Sequence, residues 1–129
     1  MADERFIEYL DAISRCFIEH NFALWKDRVI YPFSLITSAG PVVILDDAGL
    51  RENFELYLSF CDTMQIDSIV RTPVCLEDCR DGSWMGTYET NLLSHGVRAT
   101  APYVSTALLQ DVFGKFKMKS ILNARGHHD

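Results

Sequence analysis

Between positions 6 and 20 the apolar residues recur at every third or fourth place. Phe6, Leu10, Ile13, Phe17 and His20 make one stripe, widened by Ile7 and Ile18. That period predicts an amphipathic helix with one buried side. Asp3 is placed to cap it, and Asp3 with Glu4 suits the positive end of the helix dipole. Asn21 interrupts the stripe and predicts a second, shorter helix over 22–31, stopped by Pro32. The runs "FSLIT" and "VVIL", joined by Ser-Ala-Gly-Pro, read as a hairpin. Asp46 and Asp47 then cap a third helix, with Leu50, Phe54, Tyr57, Leu58 and Cys61 on its apolar side.

From Ile66 onward the chain breaks into runs over 66–79, 83–93, 97–111 and 115–122. They are separated by Arg80-Asp81-Gly82, by Ser94-His95-Gly96 and by a turn at Gly114. Four consecutive strands with tight turns predict an antiparallel meander. Pro73 and Pro102 interrupt two of them, which predicts a bent sheet. On the second strand Trp84, Tyr88, Thr90 and Leu92 share a face, with Gly86 between them. Met85, Thr87, Glu89, Asn91 and Leu93 take the other. On the third, Val97, Ala99, Ala101, Tyr103, Ser105, Ala107 and Leu109 share a face, opposite Val104 and Leu108. The expected class is α+β, with three helices covering one side of the sheet. The other side is semi-apolar and is expected to form a homodimer, so that Val104→Glu would give monomers. Which side faces inward stays open, because a bulge at Pro102 would flip the alternation.

The length of 129 residues suits a single domain over 1–129, with its core over about 6–122 and a tail over 123–129. A net charge of −6 with no basic stripe argues against a nucleic-acid partner. Lys115, Lys117 and Lys119 alternate and read as one solvated strand face. No apolar run approaches the ~20 residues of a membrane span, and the acidic, amphipathic start does not read as a signal peptide. A cytoplasmic protein is expected. Cys75 and Cys79 form a C-x3-C pair that no neighbouring Cys/His set completes. No metal and no cofactor are expected, and Cys16, Cys61, Cys75 and Cys79 are read as reduced thiols. His127 and His128 sit in the tail and carry no expected role.

His20 is a candidate general base, and equally a cap at the C-terminal end of its helix. Tyr88 is its candidate catalytic companion. Tyr31, Tyr57, Tyr88 and Tyr103 are candidates to line a ligand pocket with Phe17, Trp25 and Phe54; core packing is the alternative for each. Asp62 and Asp67 would be bases only if buried. Glu89 belongs to the dimer side or to solvent. Cys16 and His20 stand one helical turn apart, which permits a contact.

In this order the helix break "EHNFALW", the strand entry "YPFSLI", the helix entry "DDAGLRENFELYL", then "GTYETNLLSHG" and the closing "GKFKMKSI" resemble the nuclear-transport-factor-2-like (NTF2-like) superfamily. That superfamily includes the SnoaL-like polyketide cyclases and the ketosteroid isomerases. The resemblance covers about Phe6 to Leu122. It implies a cone whose sheet curls around the helices, a pocket at the wide end and a homodimer through the outer sheet face. The isomerase tyrosine would match Cys16, the catalytic base Ile36 or Thr37, and the neutral aspartate a place near Ser105. None of these can play its part, so a ketosteroid isomerase is not expected. Three readings remain: a small-molecule-binding protein with an apolar pocket for a hydrophobic ligand, an acid–base isomerase, cyclase or dehydratase, and an accessory or interaction module.

Overall fold

The computed structural model describes residues 3–122, so His127, His128 and the rest of the tail lie outside the described residues. Helix α1 spans Glu4–Ile18, and the Asp3 side chain accepts from its Arg5 backbone N–H at 2.8 Å. The buried side includes Phe6, Leu10, Ile13 and Phe17, as the period predicts, together with Tyr9 and Cys16. The helix closes two residues before the stripe does. His20 takes a left-handed φ of 55°, and the Asn21 N–H donates back to the Cys16 carbonyl at 2.8 Å. This is a Schellman closure, with histidine where glycine is usual.

Asn21 then caps α2, Phe22–Lys26, accepting from the Leu24 N–H at 3.2 Å. The helix is shorter than predicted. Strand β1, Val29–Thr37, has already begun at Val29 and runs through Pro32, joined to Tyr31 by a cis peptide bond. The sheet tolerates this proline because the pairing of β1 with its neighbour is irregular between Val29 and Ser34, where the ladder lapses. The hairpin continues into β2, Gly40–Ile44. Helix α3 follows over Asp47–Thr63, with Asp46 accepting from the Gly49 N–H at 2.9 Å. It ends as α1 does: Gln65 has a φ of 55° and the Ile66 N–H reaches the Cys61 carbonyl at 2.8 Å.

The remaining strands are β3 (Ser68–Asp78), β4 (Ser83–Ser94), β5 (Val97–Arg98), β6 (Tyr103–Val112) and β7 (Lys115–Leu122). The run predicted over 97–111 is thus split, with residues 99–102 outside the ladder ahead of Tyr103. The sheet order is β2-β1-β7-β6-β4-β3, with the short β5 beside β4. Neighbours are antiparallel except β1 and β7, which run parallel. The hairpin from the first half of the chain therefore extends the meander of the second half.

Bulges bend this sheet at two places. One lies between Pro73 and Cys75 on β3, and the other puts Lys119 of β7 out of register opposite Leu108 and Leu109. The second bulge breaks the alternation that would put three lysines on one face; Lys115 and Lys117 instead share Asp27 at 2.9 and 3.7 Å.

The concave side carries Tyr88, Thr90 and Leu92 from β4, Tyr103, Ser105 and Leu109 from β6, and Phe116, Met118 and Ile121 from β7. On β4, and on β6 from Tyr103 onward, the phases match the predicted alternation and give the inward face; Val97, Ala99 and Ala101, expected on the same face, lie outside β6, and Val97 is exposed. Arg28, buried after α2, ties the layers together. It pairs with Glu8 of α1 and donates to the Phe116 carbonyl at 3.3 Å, while its own carbonyl accepts from Met118 N–H at 2.7 Å.

Candidate functional site

Where the helices meet the curved sheet, a cavity of about 40 Å³ remains. That is room for about three waters. Its helical wall is Ile13 and Phe17 of α1, Trp25 of α2, and Asn53 and Tyr57 of α3. Its sheet wall is Leu35, Arg71, Tyr88, Tyr103, Ser105 and Ile121. The aromatic rings fill most of the wide end of the cone. Phe17 packs on Tyr57 with ring centres 4.2 Å apart, and on Trp25 and Phe54 at 5.1 Å each.

The polar groups of the wall form a connected set. The Tyr57 and Tyr103 hydroxyls meet at 3.1 Å. Arg71 reaches inward from β3 because it shares the inward phase of Ile69, two residues before it. Its Nε donates to Ser14 Oγ and its Nη1 to Thr90 Oγ1, both at 3.1 Å, and its guanidinium lies 5.8 Å from the Tyr88 ring centre. Arg71 is half-buried as a residue, since it lines an outer groove between α1 and β3 as well. Burial opposes its charge, and the oxygens of Tyr57, Tyr103 and Tyr88 offset this, so its pKa lies above the ordinary arginine value. Tyr88 is fully buried here, and nearby the Tyr9 hydroxyl donates to Met118 Sδ at 3.1 Å. Burial raises the pKa of Tyr57, Tyr88 and Tyr9. At neutral pH the wall therefore presents a cation and protonated phenols. These donors are the polar part of a wall that is otherwise mostly apolar.

Trp25 is 4% exposed, and its Nε1–H has no acceptor among the described residues. Of the residues singled out from the sequence, the cavity gathers Phe17, Trp25, Tyr57, Tyr88 and Tyr103. Phe54 is buried behind them, stacked on Phe17 and edge-on to Phe22. Tyr31 stands outside, where its hydroxyl donates to Asp47 Oδ1 at 2.6 Å. His20 is exposed at the close of α1, and Asp62 and Asp67 are exposed too. Cys16 is buried with its thiol directed to the Ile13 carbonyl at 3.4 Å, and burial pushes its pKa up to about 12. A thiol so hard to ionise, beside an exposed His20, is not an activated nucleophile. Arg71 and Asn53 were not singled out. The signal for Arg71 was in the chain: an arginine in the phase of the buried Ile69.

No protein-family model matches the chain, and no curated protein matches it in sequence. Solved structures do match in shape. An NTF2-like protein of unknown function from Shewanella oneidensis superposes with a TM-score of 0.66 at 10% identity, over 92% of this chain and 95% of that one. The fold is NTF2-like. A protein from Nostoc punctiforme with a cystatin-like fold gives a TM-score of 0.66 at 8% identity, over 90% of this chain and 84% of its own. A protein from Shewanella frigidimarina provisionally described as a ketosteroid isomerase gives 0.62 at 10% identity, over 93% and 94%.

Within this NTF2-like cone the positions matched to isomerase roles are Cys16, Ile36, Thr37 and Ser105. Ile36 is exposed, and the Thr37 hydroxyl is spent on the Gly40 carbonyl at 3.0 Å. Ser105 does line the cavity, directly across from Tyr88 in the β4–β6 register. Among the described residues no Asp, Glu or His lines it, and no cluster of His, Cys, Asp and Glu is arranged to hold a metal. No helix among them is long and apolar enough to cross a membrane.

Proposed function

We propose that this NTF2-like protein binds a small molecule in the cavity at the centre of its cone. The observation that carries this reading is the group of donors in the wall: Arg71, the Tyr57–Tyr103 hydroxyl pair and the Trp25 indole border one space. A purely structural core has no need of a cation there, and its desolvation costs stability that an acceptor-bearing ligand would offset. The lack of a carboxylate or imidazole in the wall favours binding over acid–base catalysis by His20 or an aspartate. Native mass spectrometry of the purified protein, under gentle and then denaturing conditions, tests the reading. A carried-over small molecule, or a saturable change in Trp25 fluorescence on screening small acids, amides and ketones, is expected. No binder in either experiment would hand the case to the accessory-module reading, which the small volume and the aromatic filling support.

The same reading includes a homodimer through the convex sheet face. Met85, Val104 and Leu122 are exposed there, and Thr87 and Thr106 pair across β4 and β6 at 3.1 Å instead of presenting charges.

A further inference from the structure

Arg71 is the one charged side chain in the cavity wall among the described residues. Within ion-pair distance it meets no carboxylate among the described residues. Its hydrogen bonds go to two hydroxyl groups, those of Ser14 and Thr90. Asp11 lines the outer groove beside it but pairs with Arg15 at 2.9 Å. A guanidinium has five N–H donors in a planar fork, and two are taken by Ser14 and Thr90. Across the cavity stands the second observation, the buried Trp25 Nε1–H with no acceptor among the described residues. A buried indole N–H ordinarily has a partner. Both groups ask for acceptor atoms, and one of them asks for negative charge.

We infer that the cavity is a carboxylate site: Arg71 takes the carboxylate of a small organic acid, with the Tyr57–Tyr103 pair beside it, and Trp25 Nε1–H donates to an acceptor of the same molecule. This rests on the binding function proposed above and names its ligand class. A charge-assisted pair to a fork donor is the strong kind of hydrogen bond, so it can hold a ligand with little apolar surface. The volume of about 40 Å³ sets the scale at acetate or propionate, with Ile13, Leu35 and Ile121 beside the alkyl end.

The test is a ¹H–¹⁵N titration of the full chain with acetate and propionate, against acetamide, propionamide and sodium chloride at matched ionic strength. The two tryptophan indole signals are the readout: Trp25 lies in the wall, while Trp84 lies outside it under Arg5 and serves as internal control. The acids are expected to move the Trp25 signal saturably and leave Trp84 in place. Arg71→Met should weaken binding about tenfold or more, and Arg71→Lys less, since it keeps a charge without the fork. If Arg71→Met does not fold, Tyr103→Phe replaces it, with several-fold weakening expected. Amides or chloride binding as well as the acids would overturn the carboxylate site, and amides doing so would leave the binding function standing. Acid binding that is indifferent to Arg71→Met, or to Tyr103→Phe where that replaces it, would also overturn it. No saturable shift with any probe would overturn both.

Discussion

The Phe6 ring of α1 packs against Gly86 in the middle of β4. A methyl group on Gly86 would stand 2.7 Å from Phe6 Cε1 and 3.0 Å from Leu109 Cδ1. Phe6 cannot swing away, because it is buried and packed between the rings of Tyr9 and Tyr88 at 6.4 and 6.5 Å. Gly86 therefore sets how closely the first helix approaches the sheet, and hence the depth of the cone. Gly86→Ala should destabilise the protein by about 1–3 kcal/mol, the usual cost of overpacking. A urea titration reads this as a lower midpoint. Phe6→Leu in the Gly86→Ala background should recover part of the loss, and an additive double mutant would refute the contact.

The strand faces were legible because period-two alternation survives in β4 and β6 without a bulge between those two strands. The helix starts were legible because Asp3, Asn21 and Asp46 all cap by side chain. The cavity was less so. His20 continued the apolar period of α1, but the Schellman turn lifts it out of the helix. Tyr31 reads as helical because Pro32 is an ordinary helix stop, whereas in the fold β1 runs through Pro32 and the Tyr31 hydroxyl meets Asp47. Phe54 shares a stripe with Tyr57, yet that stripe is wide enough to serve two neighbours. Arg71 lies in "SIVRTP", a run that reads as a strand but whose proline obscures which residues share a face. Only the phase from Ile69 betrays it.

His20 and Gln65 both hold left-handed φ angles of 55° at the ends of the long helices. An L side chain is strained there by about 1–2 kcal/mol, and glycine is not. Glycine costs some of this back in the unfolded chain. His20→Gly and Gln65→Gly should each stabilise the fold by about 0.5–1 kcal/mol, a rise of a few degrees in the thermal midpoint. A lower midpoint for His20→Gly would mean that the imidazole makes a contact worth more than the strain it brings.

The thiols divide by environment. Cys75 and Cys79 are exposed, and Cys16 and Cys61 are buried. Ellman's reagent should modify the first pair in the native protein and the second pair only on unfolding. Burial raises Cys16 to about 12 and Cys61 to about 11 from an ordinary value of 9.0. Above pH 9 the unfolded chain releases these protons while the native state keeps them. Stability is therefore intact below about pH 9 and falls as pH rises toward 11 and 12, by about 1.4 kcal/mol per pH unit for each thiol. Tyr57 and Tyr9, raised by burial, add to the loss at higher pH. Cys16→Ala should flatten the slope of the denaturation midpoint against pH between 9 and 11, whatever its effect at neutral pH. An unchanged slope would show that Cys16 ionises as freely in the native state as in the unfolded one.

The proposed dimer can be tested at Val104, but not best by glutamate. Val104 is exposed on the convex face, directly across from Glu89 in the β4–β6 register. A glutamate there would set two like charges side by side and weaken the monomer itself. Lysine gives Glu89 a cross-strand partner and leaves the sheet intact, while it places a charge in the centre of the proposed interface. Val104→Lys should therefore keep its unfolding free energy within about 0.5 kcal/mol of the parent's when measured as a dilute monomer. It should sediment as a monomer at concentrations where the parent is dimeric. A variant that still sediments as a dimer would mean that the interface lies elsewhere on the cone. A parent that is itself monomeric would leave Met85, Val104 and Leu122 as ordinary exposed apolar residues and remove the dimer from the proposed function.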